Sequence, residues 1–532
     1  MIFLSEEIRH MKCYVGNILT VDQNDSVFKY LVEDKGRIIY VGNELPNEYK
    51  DAMKVDLKDK ALIPTFCDSH QHFASFSIFN AGLNVMDCES NEEMMEMIKK
   101  YVNSSKEKTI LAFGASPYSV KEKVLLSREQ LDQVSPNKPT MIVKYDGHAC
   151  IINTVLLKKL EKKLSPLRGY HPDTGEMNQE AFFVVSDYIT NSVSIIKLLK
   201  NMQKAIDFEA RQGIGLIHTV SGVGFPLNLD ITIEKLFGKA LQRGMQLRVF
   251  SQSLNPKVAK RRHLPRIGGC FECALDGCFG SQDAKLNEPY FNDPNNTGVL
   301  YYSDEKIIDF CKRANRLGMQ IEMHAIGDKA FDQATRCLKA ALDDYPREDH
   351  RHGIIHDCLP TKEGIDICSK YHITMPVQSA FIAWKQEPDE YLVEILGKKR
   401  ADSLNPLRTF IDNGIVLSAG SDGPCTTPNP IDWMYKACNH SNPKESITIK
   451  EALRMCTYNG YWTTFDEKER GSLEVGKIAD MVILSKNPYD VKPSELNKIK
   501  VENTILNGEE YQNQKQSVLK IVLKGLFNRH KI

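Results

Sequence analysis

His70-Gln71-His72 follows an apolar run. On a β-strand, residues i and i+2 share a face, so both imidazoles point the same way. Asp68 shares that face as a carboxylate able to orient a ligand. Imidazole nitrogen and carboxylate oxygen are donors that a zinc-type divalent ion takes readily, and water on such an ion has a pKa of about 7. A histidine pair alone is also what ordinary strand polarity produces. The layout recurs, however. His324 ends Met319-Gln320-Ile321-Glu322-Met323, His356 ends Gly353-Ile354-Ile355, and Asp422 follows Val416-Leu417-Ser418-Ala419-Gly420-Ser421. Each is a metal-ligand type at the end of a strand-length apolar run. On successive strands of one barrel they would converge on one cavity, at the carboxyl ends where barrel enzymes keep their sites. An Asp beside metal-held water can take its proton and deliver it to a leaving nitrogen, the chemistry of hydrolysis.

The elements that would position these residues follow from periodicity. The first sixty residues read as strands, including a hairpin at Tyr30–Gly42 with Lys35-Gly36-Arg37 at its turn. From about residue 65, strand-length runs alternate with helix-period segments, as βα units around a parallel sheet do. Candidate strands are Thr140–Lys144, Gly215–His218, Met319–Met323, Gly353–His356 and Ile415–Ser418. Ala330, Ala334, Leu338 and Ala341 recur at spacings of four and three and predict one face of a helix. Strand texture returns near residue 470, in Ala479–Leu484 and Val501–Asn507. The expected fold class is therefore α/β: a (β/α)8 TIM-type barrel over 65–469, with a small composite β-sandwich domain formed by both chain ends, 1–64 plus 470–515. Residues 516–532 are expected to be a C-terminal helical tail.

Composition narrows the function classes. The 532 residues carry a formal net charge of +0, which gives no reason to expect nucleic acid or an acidic partner. Met1-Ile2-Phe3-Leu4, followed at once by Ser5-Glu6-Glu7, is too short an apolar start for a secretory leader. No stretch approaches the ~20 apolar residues of a membrane span. Fourteen cysteines without export signals read as reduced core residues, and the expected compartment is the cytoplasm. The expected partner is a small-molecule substrate, with a homodimer permitted.

The motifs together resemble the amidohydrolase superfamily, and within it the YtcJ-like branch of metal-dependent hydrolases. Ile63–His72 looks like the first-strand motif, Tyr145–Asn153 like a substrate-loop histidine motif, and His324–Ala330 is a close match to another segment. Asp276–Ser281, Ser421–Pro424 and Gly471–Asp480 match further segments, so the resemblance covers nearly the whole chain. It implies hydrolysis of a non-peptide C–N bond of the N-acyl, N-formyl or cyclic amide type by metal-bound hydroxide, with Asp422 as proton shuttle. His70, His72 and Asp422 would hold one metal, and His324 and His356 a second. Zinc is the expected metal, as one ion or two. The branch places a bridging lysine four residues before its Asp-Gly pair; here that position is Glu272, which can bridge without carboxylation. Lys144 and His218 also end strands and compete as ligands, His218 ranking lower because its surroundings match no motif. Cys270 and Cys273 form an isolated Cys-x-x-Cys pair that reads as buried cysteine. His148 is the candidate for polarising the substrate carbonyl, and Asp328 for capping the helix that follows. Trp384, Phe381 and Tyr290 are equally explained as pocket lining and as core. The alternatives are an esterase or lactonase on the same site, and a non-catalytic regulatory or binding protein on the same barrel.

Overall fold

A computed structural model describes residues 11–79, 82–222, 228–241 and 244–532. Residues 1–7, read above for the absence of a leader, lie outside them. Eight parallel strands form the centre: β1 (Phe66–Gln71), β2 (Ile214–Ser221), β3 (Gln246–Ser251), β4 (Arg266–Ala274), β5 (Gln320–Ala325), β6 (Gly353–His356), β7 (Met375–Val377) and β8 (Leu417–Ala419). The first six form one sheet in chain order, and β7 and β8 pair with each other. A bridge from Gly353 to Thr374 joins β6 to the start of β7. The ring closes where the Asp422 N–H, just past β8, donates to the His70 carbonyl of β1 at 2.8 Å. This is an α/β TIM-type fold. Every residue of β2 and β5 is buried, as strands covered on both faces must be.

The predicted helical face is present in α4 (Asp328–Asp344), where Ala330, Ala334, Leu338 and Ala341 are fully buried. Three further helices bear on the site: α1 (Phe73–Phe79), α2 (Gln179–Ser192) and α3 (Leu229–Ala240). α5 (Val518–Phe527) lies in the tail and packs on α3. Among the described residues no helix is long and apolar enough to cross a membrane.

The structure differs from the sequence reading in two places. Thr140–Lys144 is a strand, but of a second six-stranded sheet that spans Leu83–Asn178 between β1 and β2. An apolar run specifies burial, and burial is equally available in either sheet. The two chain ends do meet, as one seven-stranded mixed sheet: Met481–Leu484 pairs antiparallel with Met53–Pro64, which pairs parallel with Lys12–Leu19. The strands of the two ends are thus linked in one continuous sheet, where a sandwich of two separate sheets was expected.

Candidate metal centre and active site

The carboxyl ends of β1, β4, β5, β6 and β8 bring six donors together. His70 Nε2 lies 3.2 Å and His72 Nε2 3.4 Å from Asp422 Oδ1. On the other side of His70, Cys270 Sγ stands 3.4 Å from His70 Nε2 and 3.6 Å from His356 Nε2. The His324 ring packs edge-on against His356 with centroids 4.6 Å apart. Two ligand groups therefore share His70: His70, His72 and Asp422, and His70, Cys270 and His356, with all donor atoms of each group within 4.8 Å of one another.

The donors fit a metal ion. With bonds of about 2.0–2.3 Å, the N···O and N···S edges of a zinc tetrahedron are about 3.3 and 3.6 Å, close to the separations observed. His324 Nδ1 is buried without a hydrogen-bond partner, and Asp422 Oδ1 is buried with only the His70 and His72 nitrogens beside it. An orphaned buried polar atom costs about 1–3 kcal/mol, and a cation relieves that cost at a carboxylate oxygen or an imidazole lone pair. Burial pushes His356 down to about 4 and His324 well below its ordinary value, so both rings are in the neutral, ligand form. Burial alone would raise Asp422; hydrogen bonding to His70 and His72, with His356 nearby, overcomes it and holds the carboxyl well below its usual range. Burial pushes the Cys270 thiol well up, but a cation deprotonates a thiol that it binds.

Local backbone explains the convergence. Phe271, His356 and Asp422 all have positive φ, +50°, +76° and +54°, which turns the chain sharply at the strand ends. Gly420 passes β1 so closely that a Cβ there would lie 2.5 Å from the His70 nitrogen. Beneath the donors, buried Asp68 accepts from the Ser421 N–H (2.9 Å), the Ser421 hydroxyl (2.5 Å) and the His70 N–H. It pins β8 to β1 and touches neither ligand ring. His356 Nδ1–H donates to Gln378 Oε1 at 2.6 Å, which leaves Nε2 for the cluster. After His72, the Ala74 N–H donates to buried Glu234 of α3 at 3.0 Å, so α3 fixes the entry into α1.

The sequence candidates divide. His70, His72, His324, His356 and Asp422 stand together. Glu272 does not join them: it is exposed, and its Oε1 accepts from the Ser253 hydroxyl and the Leu254 N–H. Gly268 and Gly269 at φ +118° and +121°, followed by Phe271, break the alternation of β4, and the pairing with β5 shifts register between Gly269 and Ala274. Cys270 takes the place between the histidines that spacing assigned to Glu272. Positions 270 and 272 have the same parity, so alternation along β4 does not tell them apart; the break at Gly268 and Gly269 does. Lys144 pairs with Asp146 at 2.9 Å, which keeps it charged. His218 is turned toward Thr464 at 3.2 Å and Cys67, and burial lowers it to about 3. Asp328 starts α4 but accepts from the Asn287 N–H instead of capping its own helix. Phe381 stacks on His356 and Trp384 stacks on Phe381, while Tyr290 is buried in the core.

A cavity of about 1020 Å³ opens on the cluster, bordered by His72, Cys270, His324, His356 and Asp422. His148 borders it too, from the inserted sheet, with its ring 6.2 Å from that of Phe271.

The chain is similar to known proteins over most of its length. Residues 54–511 match the model described as the Amidohydrolase family. The chain is 26% identical to Protein LONG AFTER FAR-RED 3 of Arabidopsis thaliana, over 89% of this chain and 87% of that protein. It is 24% identical to the Putative amidohydrolase YtcJ of Bacillus subtilis (86% and 90%) and 22% identical to the N-substituted formamide deformylase of Arthrobacter pascens (94% and 98%). Among solved structures, an uncharacterized metal-dependent hydrolase of Pyrococcus horikoshii superposes with a TM-score of 0.72 at 23% identity, covering 91% of this chain and 99% of that one.

Proposed function

Because this chain belongs to the amidohydrolase family, we propose that it hydrolyses a non-peptide carbon–nitrogen bond, of the N-acyl, N-formyl or cyclic amide type, with divalent metal bound at the cluster. The observation that carries the reading is the meeting of imidazole, carboxylate and thiol donors from five strands at the mouth of one cavity. An N-substituted formamide deformylase among the relatives supports the bond class.

His70, His72 and Asp422 would hold one ion, and His356 with His324 a second, with the Cys270 sulfur between the two sets. Imidazole and thiolate together favour zinc. A bound ion supplies Lewis acidity, bringing the pKa of water to about 7. Asp422 keeps its carboxylate form and accepts the water proton as oxygen bonds to the carbonyl carbon. It then delivers that proton to the departing nitrogen as the C–N bond breaks. His148 donates to the carbonyl oxygen, where one such donor is worth about 3 kcal/mol.

The test is elemental analysis of the purified protein beside turnover of matched amides and esters by wild type and Asp422→Asn. At least one divalent ion per chain is expected, with amide cleavage reduced roughly 10²–10⁴-fold in the variant. Turnover of esters alone would move the assignment to the esterase alternative. Metal-free protein, with every activity insensitive to Asp422→Asn, would sink the proposal.

A further inference from the structure

The cavity extends well beyond the donors. Pockets that enclose a whole drug-sized ligand measure about 300–1,000 Å³, so 1020 Å³ is far more than an amide group needs. Away from the cluster it runs beneath α1 to the inserted sheet. There, Leu111 and Phe113 of one strand stand in register with Met141 and Val143 of the next. Positions two apart share a face, so the four side chains form one apolar plate. Phe79 of α1 and Phe182 of α2 also border this part of the cavity. Phe113, Met141, Val143 and Phe182 are buried, and Phe79 and Leu111 half-buried, so this end of the cavity is walled by a firm apolar surface. The two cations that border the cavity are paired, Lys144 with Asp146 and the Gly280 carbonyl and Arg168 with Glu180.

We infer that this lobe is a specificity subsite for an apolar alkyl or aryl substituent carried by the substrate, which reaches the metal centre with its amide end. The identity of that reacting end rests on the function proposed above; the lobe's affinity for an apolar group does not. The group can be attached through nitrogen or through the acyl carbon, and the experiment separates the two.

Binding is measured by calorimetry on Asp422→Asn protein supplied with zinc, in which turnover is slowed. One series is N-alkylformamides from methyl to octyl, the other N-methylalkanamides of the same lengths. In at least one series, Kd should tighten about fourfold per methylene until the lobe is full. Phe79→Asp, whose parent side chain is only half-buried, should shrink the octyl-to-methyl affinity ratio at least tenfold. Phe113→Trp, which fills the lobe without adding charge, should lower the same ratio, with circular dichroism confirming that both variants fold. A Kd independent of chain length in both series overturns the inference. If Kd tightens with length but wild type cleaves no member, the subsite stands and the amide chemistry falls. Cleavage with a flat Kd removes the subsite and leaves the amide chemistry in place.

Discussion

Cys270 puts a soft sulfur donor between two imidazoles in a centre otherwise made of nitrogen and oxygen. Cobalt-loaded wild type should therefore show a near-ultraviolet thiolate-to-cobalt absorption that Cys270→Ser lacks. The variant's metal affinity should fall at least as far as the roughly 10–100-fold loss typical of removing an outer-shell partner. Identical spectra would remove sulfur from the centre. The histidines and Asp422 were legible because each ends a continuous apolar run, and a strand end is where a barrel presents side chains. Cys270 was not legible by counting back from Asp276-Gly277, because a count assumes unbroken alternation. Two glycines and Phe271 at positive φ break it, and they send Glu272 to the Ser253 side instead.

At the scale of elements, the entry into α1 depends on α3. The Glu234 carboxyl accepts from the Ala74 N–H, the Thr219 hydroxyl and the Ser221 hydroxyl. Burial, against those hydrogen bonds, pushes it from 4.5 to about 8. A carboxyl raised in the folded state contributes stability that is complete below its unfolded value and is lost as pH rises to the folded one. The melting temperature of wild type relative to Glu234→Gln should therefore decline between about pH 4.5 and pH 8 and level off above. A constant difference across that range would show that the buried carboxyl is already ionised. Most barrel strands could be read from their apolar runs, but Met375–Val377 is too short to announce itself. Thr140–Lys144 announced a strand without saying which sheet it joins. That ambiguity has consequences, because the inserted sheet supplies His148 and the apolar lobe.

Across the whole molecule, the barrel floor is closed by the distant tail. Arg248 grips Asp466 through two hydrogen bonds of 2.9 and 2.8 Å, and Lys531 Nζ adds a third contact at 2.9 Å. Arg266 donates to the Ile532 carbonyl at 2.9 Å. Burial alone would raise Asp466, but Arg248 and Lys531 hold it well below the usual carboxylate range. Its contribution is thus present at neutral pH and lost only on strong acidification. Asp466→Asn leaves Arg248 buried with half a partner and should cost about 3–5 kcal/mol in denaturant unfolding; a loss under 1 kcal/mol would show that the floor is redundant. No local pattern announces such contacts, which are set by how the ends return to the barrel. The ring closure carries a consequence in time. β1 leaves the ribosome with both of its histidines, and the Ser421 that locks it to β8 follows 353 residues later. At about 5–20 residues per second, that is a wait of roughly 20–70 s. Throughout it, one edge of β1 lacks its β8 neighbour and the candidate metal centre lacks Asp422, so the full donor set comes together only late in synthesis.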